Sequence, residues 1–274
     1  MPISPNGRCC DLHTHTRFSV DSSASLEAMC RRAIHLGLHQ IAFTEHVDYV
    51  PADIGYGFFR PGAFLAEIAR CRKLFEDRLT ILAGVEIGEL DRFRAQADEL
   101  LGAYSFDLVI GSLHWVDDDL VFESSYFRGR SEESAFRGYF AAVERMCRRG
   151  GFDVLGHLDV VKRYGYDVYG RADLSPFEAD IRPILEAIIQ HGIALEINTS
   201  TLRRPVDRTS PDALVLGWYR EMGGELVTFG SDAHRPADLA CGWERASEMI
   251  RAAGFPHLTT FVNRIPQAVP WESR

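Results

Sequence analysis

The chain has 274 residues, enough for one large core and near the usual size of a closed α/β barrel. Its 46% hydrophobic and 25% charged content is ordinary for a globular protein, and no apolar run approaches the ~18 residues of a helical membrane span. A net charge of −9 disfavours a sequence-independent nucleic-acid binder, which needs a basic face, but leaves room for an anionic substrate, because bound cations reverse the local field.

The start, Met1-Pro2-Ile3-Ser4-Pro5, lacks the basic-then-apolar layout of a secretory signal. Cys9, Cys10, Cys30, Cys71, Cys147 and Cys241 show no CxxC spacing. They read as reduced thiols of a cytoplasmic protein, not as a structural zinc site.

The first apolar run ends in Asp11-Leu12-His13-Thr14-His15. On a strand, positions i and i+2 share a face about 6.6 Å apart, so two imidazoles on one rigid element can reach one ion. Residues 21–25 are loop and cap material, and 26–36 have helical spacing that stops at Gly37. Residues 40–46 form a strand ending in Glu45 and His46. The Gly-, Tyr- and Phe-rich segment 47–59 is expected to be either a loop covering a site or a surface excursion packed on its own aromatics.

A helix over 64–75 leads to a strand over 80–86 that ends in Glu86. A helix over 90–104 leads to a strand over 107–114 that ends in His114, and a long helix over 132–149 is closed by Gly150-Gly151. The strand over 153–157 again ends in histidine. Ser175-Pro176-Phe177-Glu178 has the pattern of N-cap, N1 proline and capping-box glutamate, opening a helix to about His191. A strand over 193–198, a helix from Ser210-Pro211 to Gly223-Gly224, a strand over 226–234 and a helix over 236–253 follow.

Seven short apolar strands alternating with helices predict a parallel α/β architecture, and the lack of any strand reversal favours a closed or nearly closed (β/α) barrel over an open sheet. One domain over 1–274 is the simplest account, since there is no linker and no fixed-period repeat. Chemistry in such barrels sits at the C-terminal strand ends. Six of the ten histidines, His13, His15, His46, His114, His157 and His234, fall at or just after a predicted strand end. Neutral imidazoles clustered with carboxylates suit divalent metals.

The carboxylates that belong with them are Asp21, Glu86 and Asp232. Glu86 follows an apolar run where an unpaired charge would be costly, and Asp232 and His234 repeat the i, i+2 spacing. Six histidines and three acids are more than one or two ions need. Three ions would carry about +6 against −3, a centre that favours a phosphate-bearing substrate and acidifies a bound water from ~15.7 toward ~7.

The series Asp11-Leu12-His13-Thr14-His15, Thr44-Glu45-His46, Gly84-Val85-Glu86, Gly111-Ser112-Leu113-His114, Gly156-His157-Leu158-Asp159 and Gly230-Ser231-Asp232-Ala233-His234 resembles the polymerase-and-histidinol-phosphatase (PHP) family, and more closely its histidinol-phosphatase branch. The resemblance implies a distorted seven-stranded (β/α)7 barrel holding three divalent ions at the C-terminal strand ends, with Zn, Mn or Fe all admissible. It implies one ion on His13, His15, Glu86 and Asp232, a second on Glu86, His114 and His157, and a third on Asp21, His46 and His234. Two further stretches, 156–165 and 196–203, are similar to the phosphatase branch, although Thr201 stands where glycine is expected and 204–211 departs from the usual pattern. By that resemblance Arg163 and Arg203 would clamp phosphate oxygens, with Lys162 and Arg204 as neighbours able to exchange roles with them.

The expected activity is therefore a metal-dependent phosphomonoesterase acting on a small phosphorylated substrate, L-histidinol phosphate first, in histidine biosynthesis. The expected mechanism is in-line attack by a hydroxide bridging the ions held through Glu86, with Asp232, His234, Arg163 and Arg203 in the catalytic set. Glu45, Asp48 or Tyr126 are candidates to recognise the imidazole and amine. The rival expectations are a phosphatase or exonuclease acting on nucleotides, and a metal-stabilised binding domain without turnover. Neither a membrane nor long nucleic acid is an expected partner, and oligomeric state is not legible.

Overall fold

A computed structural model describes residues 9–271; the start at residues 1–5 lies outside them. In chain order the elements are β1 (Cys9–Asp11), α1 (Leu26–Leu36), β2 (Leu38–Val47), α2 (Pro61–Leu74), β3 (Thr80–Gly88), α3 (Arg94–Ala103), β4 (Leu108–Ser112), β5 (Trp115–Val116) and β6 (Asp119–Leu120). They continue as α4 (Ser124–Phe127), α5 (Glu132–Arg149), β7 (Val154–Leu155), α6 (Val161–Tyr169), α7 (Glu178–His191), β8 (Ala194–Asn198), α8 (Ala213–Glu221), β9 (Val227–Gly230), α9 (Trp243–Ala252), β10 (His257–Val262) and β11 (Ile265–Pro270).

Seven strands form one sheet in the order β1-β2-β3-β4-β7-β8-β9, every neighbouring pair parallel. The ends of the sheet meet. Leu12 N donates to Phe229 O at 2.9 Å, Asp232 N to His13 O at 2.8 Å and His15 N to Ala233 O at 2.9 Å, so the sheet is a nearly closed barrel. Asp11 reinforces this seam, its buried carboxylate accepting from Ser231 N, Ser231 Oγ and Ala240 N. Burial pushes Asp11 up to about 6, against the opposing pull of those bonds. Strands β3, β4, β8 and β9 are buried almost throughout, which is why they read as continuous apolar runs and not as alternating ones.

The helices keep their apolar stripes on the sheet. In α1, Leu26, Met29, Cys30, Ala33 and Leu36 are buried, Ser25 caps the start by accepting from Ala28 N, and Gly37 closes the end at φ 80°. In α5 the buried face runs from Ala135 to Cys147 behind a Ser131 cap. Several expected boundaries move: α2 starts at Pro61 and not 64, and β4 and β9 end at Ser112 and Gly230, short of the expected 114 and 234. Helix α3 begins at Arg94, not 90, because Glu89 turns the chain at φ 45°. Helix α7 begins at Glu178 after a 3-10 turn over Ser175–Phe177, and α8 begins at Ala213, capped by Asp212 and not by Ser210. The final helix is split: Pro236–Asp238 is a 3-10 turn, and Gly242 at φ 80° restarts the chain as α9. Among the described residues no helix is long and apolar enough to cross a membrane.

Candidate metal centre

The structure brings all nine expected ligand side chains to one rim, at the C-terminal ends of the strands. Parallel register sets His46 of β2 directly beside Glu86 of β3. His13 and His15 follow β1, His114 follows β4, His157 follows β7, and Asp232 and His234 follow β9. Two of these residues sit in left-handed backbone, His157 at φ 21° and Asp232 at φ 53°. Such strain persists only where neighbours enforce it. Glu196 Oε2 accepts from His157 N at 2.7 Å, and Arg203 donates to the carbonyls of Ser231 and Asp232 at 2.9 and 3.1 Å.

Glu86 is the hub. Its Oε2 lies 3.2 Å from His13 Nε2, 3.4 Å from His15 Nε2 and 3.0 Å from His46 Nδ1. Its Oε1 lies 2.9 Å from His157 Nε2 and 3.5 Å from His114 Nε2, and accepts from Ser112 Oγ at 2.5 Å. At the outer edge Asp21 Oδ2 lies 2.9 Å from His234 Nε2 and 3.5 Å from His46 Nε2, while Asp232 Oδ1 lies 3.5 Å from both His15 Nε2 and His234 Nδ1.

These approaches are not hydrogen bonds in the main. His13 Nε2, His15 Nε2, His46 Nδ1, His234 Nε2 and Glu86 Oε2 are buried and make none. A buried polar atom without a partner costs about 1–3 kcal/mol, so five together in one chamber need a common explanation. Lone pairs converging on a shared cation supply it. The donor atoms of His13, His15 and Glu86 lie within 4.8 Å of one another, as do those of Glu86, His114 and His157, and those of His15, His46 and His234. Imidazole with carboxylate is the chemistry of Zn, Mn or Fe sites.

The electrostatics agree. Burial opposes a positive charge on His13, but Glu196, Glu86 and Asp232 outweigh it and hold the imidazole well above its ordinary value. Burial likewise opposes charge on His46 and His114; Glu86 with Asp21 raises the first, and Asp48 with Glu86 lifts the second to about 10. Burial would raise Glu86, yet the charge of His13 and His46 keeps it well below the usual carboxylate range. The chamber holds anionic carboxylates that demand positive charge.

Residues around the ligands fix their orientation. Glu196 Oε1 takes the Nδ1 proton of His13 at 2.6 Å, aiming Nε2 into the chamber. Ser19 Oγ lies 3.2 Å from His15 Nδ1 and donates to Glu45 Oε2 at 2.6 Å. Sequence reading missed Glu196, whose one signal is a lone acid inside an apolar strand. Glu45 is corrected: it is fully buried, accepting also from Thr16 N and Thr16 Oγ1, and supports the 16–19 turn instead of facing a substrate. Tyr126 is corrected too, its buried hydroxyl donating to Ala135 O at 2.6 Å. Asp48 does reach the rim, 3.9 Å from His114 Nδ1, carried by the 47–59 segment whose Ile54 and Tyr56 are exposed.

Over the chamber opens a cleft of about 380 Å³ lined by Asp21, Asp232 and His234 together with Arg163, Arg203 and Arg204. Arg163 stands over the Tyr164 ring at 5.1 Å, and its buried Nε makes no hydrogen bond. Burial lowers its pKa, as expected for a cation without an anionic partner. Lys162 is not in the cleft. It is fully buried, with Nζ 2.5 Å from Asp159 Oδ2 and 2.7 Å from Thr209 O, so its expected contact with phosphate is withdrawn.

Comparison with known proteins places this geometry. A model of the PHP domain family matches residues 11–200. A histidinol-phosphatase of Lactococcus lactis is 30% identical over 253 residues, covering 92% of this chain and 93% of that protein. The crystal structure of the histidinol phosphate phosphatase of Lactococcus lactis, complexed with zinc, L-histidinol and phosphate, superposes with a TM-score of 0.88 at 28% identity, covering 95% of this chain and 99% of that one. A Listeria monocytogenes protein shares the fold, with a TM-score of 0.75 at 20% identity over 86% of this chain and 99% of that one.

Proposed function

The chain belongs to the PHP family, in its histidinol-phosphatase branch, and from that premise we propose that it is a metal-dependent phosphoric monoester hydrolase that cleaves L-histidinol phosphate to L-histidinol and phosphate. The observation that carries the reading is Glu86, a buried carboxylate ringed by five histidines from four strand ends, beneath a cleft lined with arginines.

Three divalent ions are the proposed complement: one on His13, His15, Glu86 and Asp232, one on Glu86, His114 and His157, and one on Asp21, His46 and His234. The second set coincides with a group whose donor atoms already converge, three of the four members of the first set do the same, and Asp21 contacts both of its partners. When bound, such ions supply an acidified water as nucleophile and positive charge against the phosphoryl oxygens. The chain supplies the rest. Arg163, with an unpaired guanidinium at the mouth, takes non-bridging oxygens and stabilises them as charge develops. Arg203 faces the same cleft, and two of its N–H groups hold the Ser231–Asp232 backbone in place. Glu196 and Ser19 keep His13 and His15 aimed inward. A cytoplasmic location is part of the same reading.

The test is phosphate release by the metal-loaded protein from L-histidinol phosphate, nucleoside monophosphates and simple aryl phosphates side by side. A kcat/KM for histidinol phosphate about a hundredfold above the others is expected from a site that recognises the leaving group. Equal rates on all would leave a general phosphatase. Full metal loading with no turnover on any ester would leave a binding domain.

A further inference from the structure

Lys162 is buried completely, a placement rare for lysine and tolerated only when the charge is paired and its protons are satisfied. Its ammonium donates to Asp159 Oδ2 and to the carbonyl of Thr209, while the other oxygen of Asp159 accepts from Ser210 Oγ. Ser210 is paired in turn with Asn198 at the end of β8 by two backbone hydrogen bonds of 2.8 Å. Thr201 Oγ1 closes the same loop on Arg208 O. Among the described residues, the hydrogen bonds from segment 157–169 to the loop over 199–211 are the Lys162–Thr209 and Ser210–Asp159 bonds.

Both segments line the cleft, whose wall is completed by Asp21 and residues of 232–238. Helix α6 carries Arg163, next in sequence to Lys162, and the loop carries Arg203 and Arg204. The Arg163 guanidinium stacks on Tyr164 of its own helix, and its Nε has no partner, so its reach is set by where the helix backbone stands. We infer that Lys162 is a positioning residue: its tie to Asp159 and Thr209 fixes the distance between Arg163 and the Arg203–Arg204 pair, and thereby the affinity of the cleft for a phosphoryl group. The inference rests on the phosphatase reading of that cleft. Bidentate recognition of phosphate requires guanidinium forks at a fixed spacing, and a misplacement of about 1 Å is enough to lose up to a hundredfold in rate.

The test uses metal-loaded protein and inorganic phosphate as a competitive inhibitor. In Lys162→Met the inhibition constant for inorganic phosphate and the KM for the ester rise about tenfold or more, kcat falls by less, and metal content is unchanged. The double variant Lys162→Met/Asp159→Asn leaves no unpaired buried carboxylate and is read if the single variant does not fold. Ser210→Ala removes one bond and little volume, and gives a rise of about threefold. Variants that lose thermal stability but bind inorganic phosphate like the parent would reduce Lys162 to a packing role and overturn the inference. A parent protein that neither binds inorganic phosphate nor turns over the ester would instead overturn the phosphatase reading, so the two failures are distinct.

Discussion

Glu196 shows how one side chain can govern two of the proposed ligands from outside the proposed metal centre. One carboxylate oxygen takes the His13 Nδ1 proton and the other takes the His157 backbone proton. Those histidines approach different oxygens of Glu86, His13 at Oε2 and His157 at Oε1, so one acid orients side chains for two of the proposed ion positions. Glu196→Gln keeps the shape but turns one of the two oxygens into a donor, which faces a donor and loses its bond. Metal affinity is expected to fall about ten- to a hundredfold, read by competition with a chromogenic chelator; parental affinity would show that the orientation of His13 and His157 does not depend on Glu196. Eight of the nine proposed ligands were legible in the sequence because each falls at or just after the end of an apolar run, whereas Asp21 lies in a loop and has no such mark. Glu196 was not, because its run continues past it and spacing alone does not reveal which buried acid answers which histidine. Lys162 misled for a related reason. Its sequence neighbour Arg163 faces the cleft, but consecutive residues on a helix point about 100° apart, and α6 itself was not anticipated.

At the level of elements, the barrel closes only where side chains leave room. A Cβ on Gly230, the last residue of β9, would lie 2.0 Å from Glu196 Oε1 and 2.6 Å from His13 Cβ. Strand β9 therefore passes against β1 and β8 with nothing to spare, and Gly230→Ala must push His13 or Glu196 out of place. Expected are a loss of about 1–3 kcal/mol in unfolding free energy and a parallel loss of metal, measured by denaturant melts and elemental analysis. Gly102→Ala is the control. That glycine lies within α3 with nothing within 4 Å of its Cβ, and alanine there is expected to stabilise by about 0.5–1 kcal/mol. A Gly230→Ala protein with parental stability and metal would show that the seam is slack. Helix limits were legible where caps fix them, as at Ser25 and Gly37 of α1. They were illegible where tertiary bonds decide: Glu89 delays α3 because its carboxylate accepts from His114 N and Trp115 N. The pair β5–β6 was missed because two-residue strands carry no period, and β10–β11 because β11 is exposed and the buried stretch of β10 is interrupted by Thr259 and Thr260.

For the whole molecule, metal and fold are linked through the same buried acids, and the linkage has opposite pH slopes in the two states. In the metal-free chain, His13, His46 and His114 are raised by the carboxylates around them, His114 to about 10. A raised histidine contributes stability that is fully present below its unfolded value, near 6.5, and is lost as pH climbs through its folded value. The metal-free protein therefore weakens between about pH 6.5 and pH 10. The loaded protein behaves in the contrary sense, because ions need neutral imidazoles and protons displace them as pH falls. At ion concentrations a thousandfold above Kd, binding to the folded state adds about 4 kcal/mol per site, and in a chain of this size each kcal/mol moves Tm by about 2–4 °C. Chelation at pH 8 is expected to lower Tm by ~10 °C or more, with recovery on adding zinc or manganese. The same chelation at pH 6 should produce a clearly smaller drop, because protons already compete for His13, His46 and His114. Scanning calorimetry with and without chelator at the two pH values measures both differences. A chelator-induced shift that is absent at pH 8, or larger at pH 6 than at pH 8, would mean that the rim histidines are not the groups through which cations stabilise the barrel.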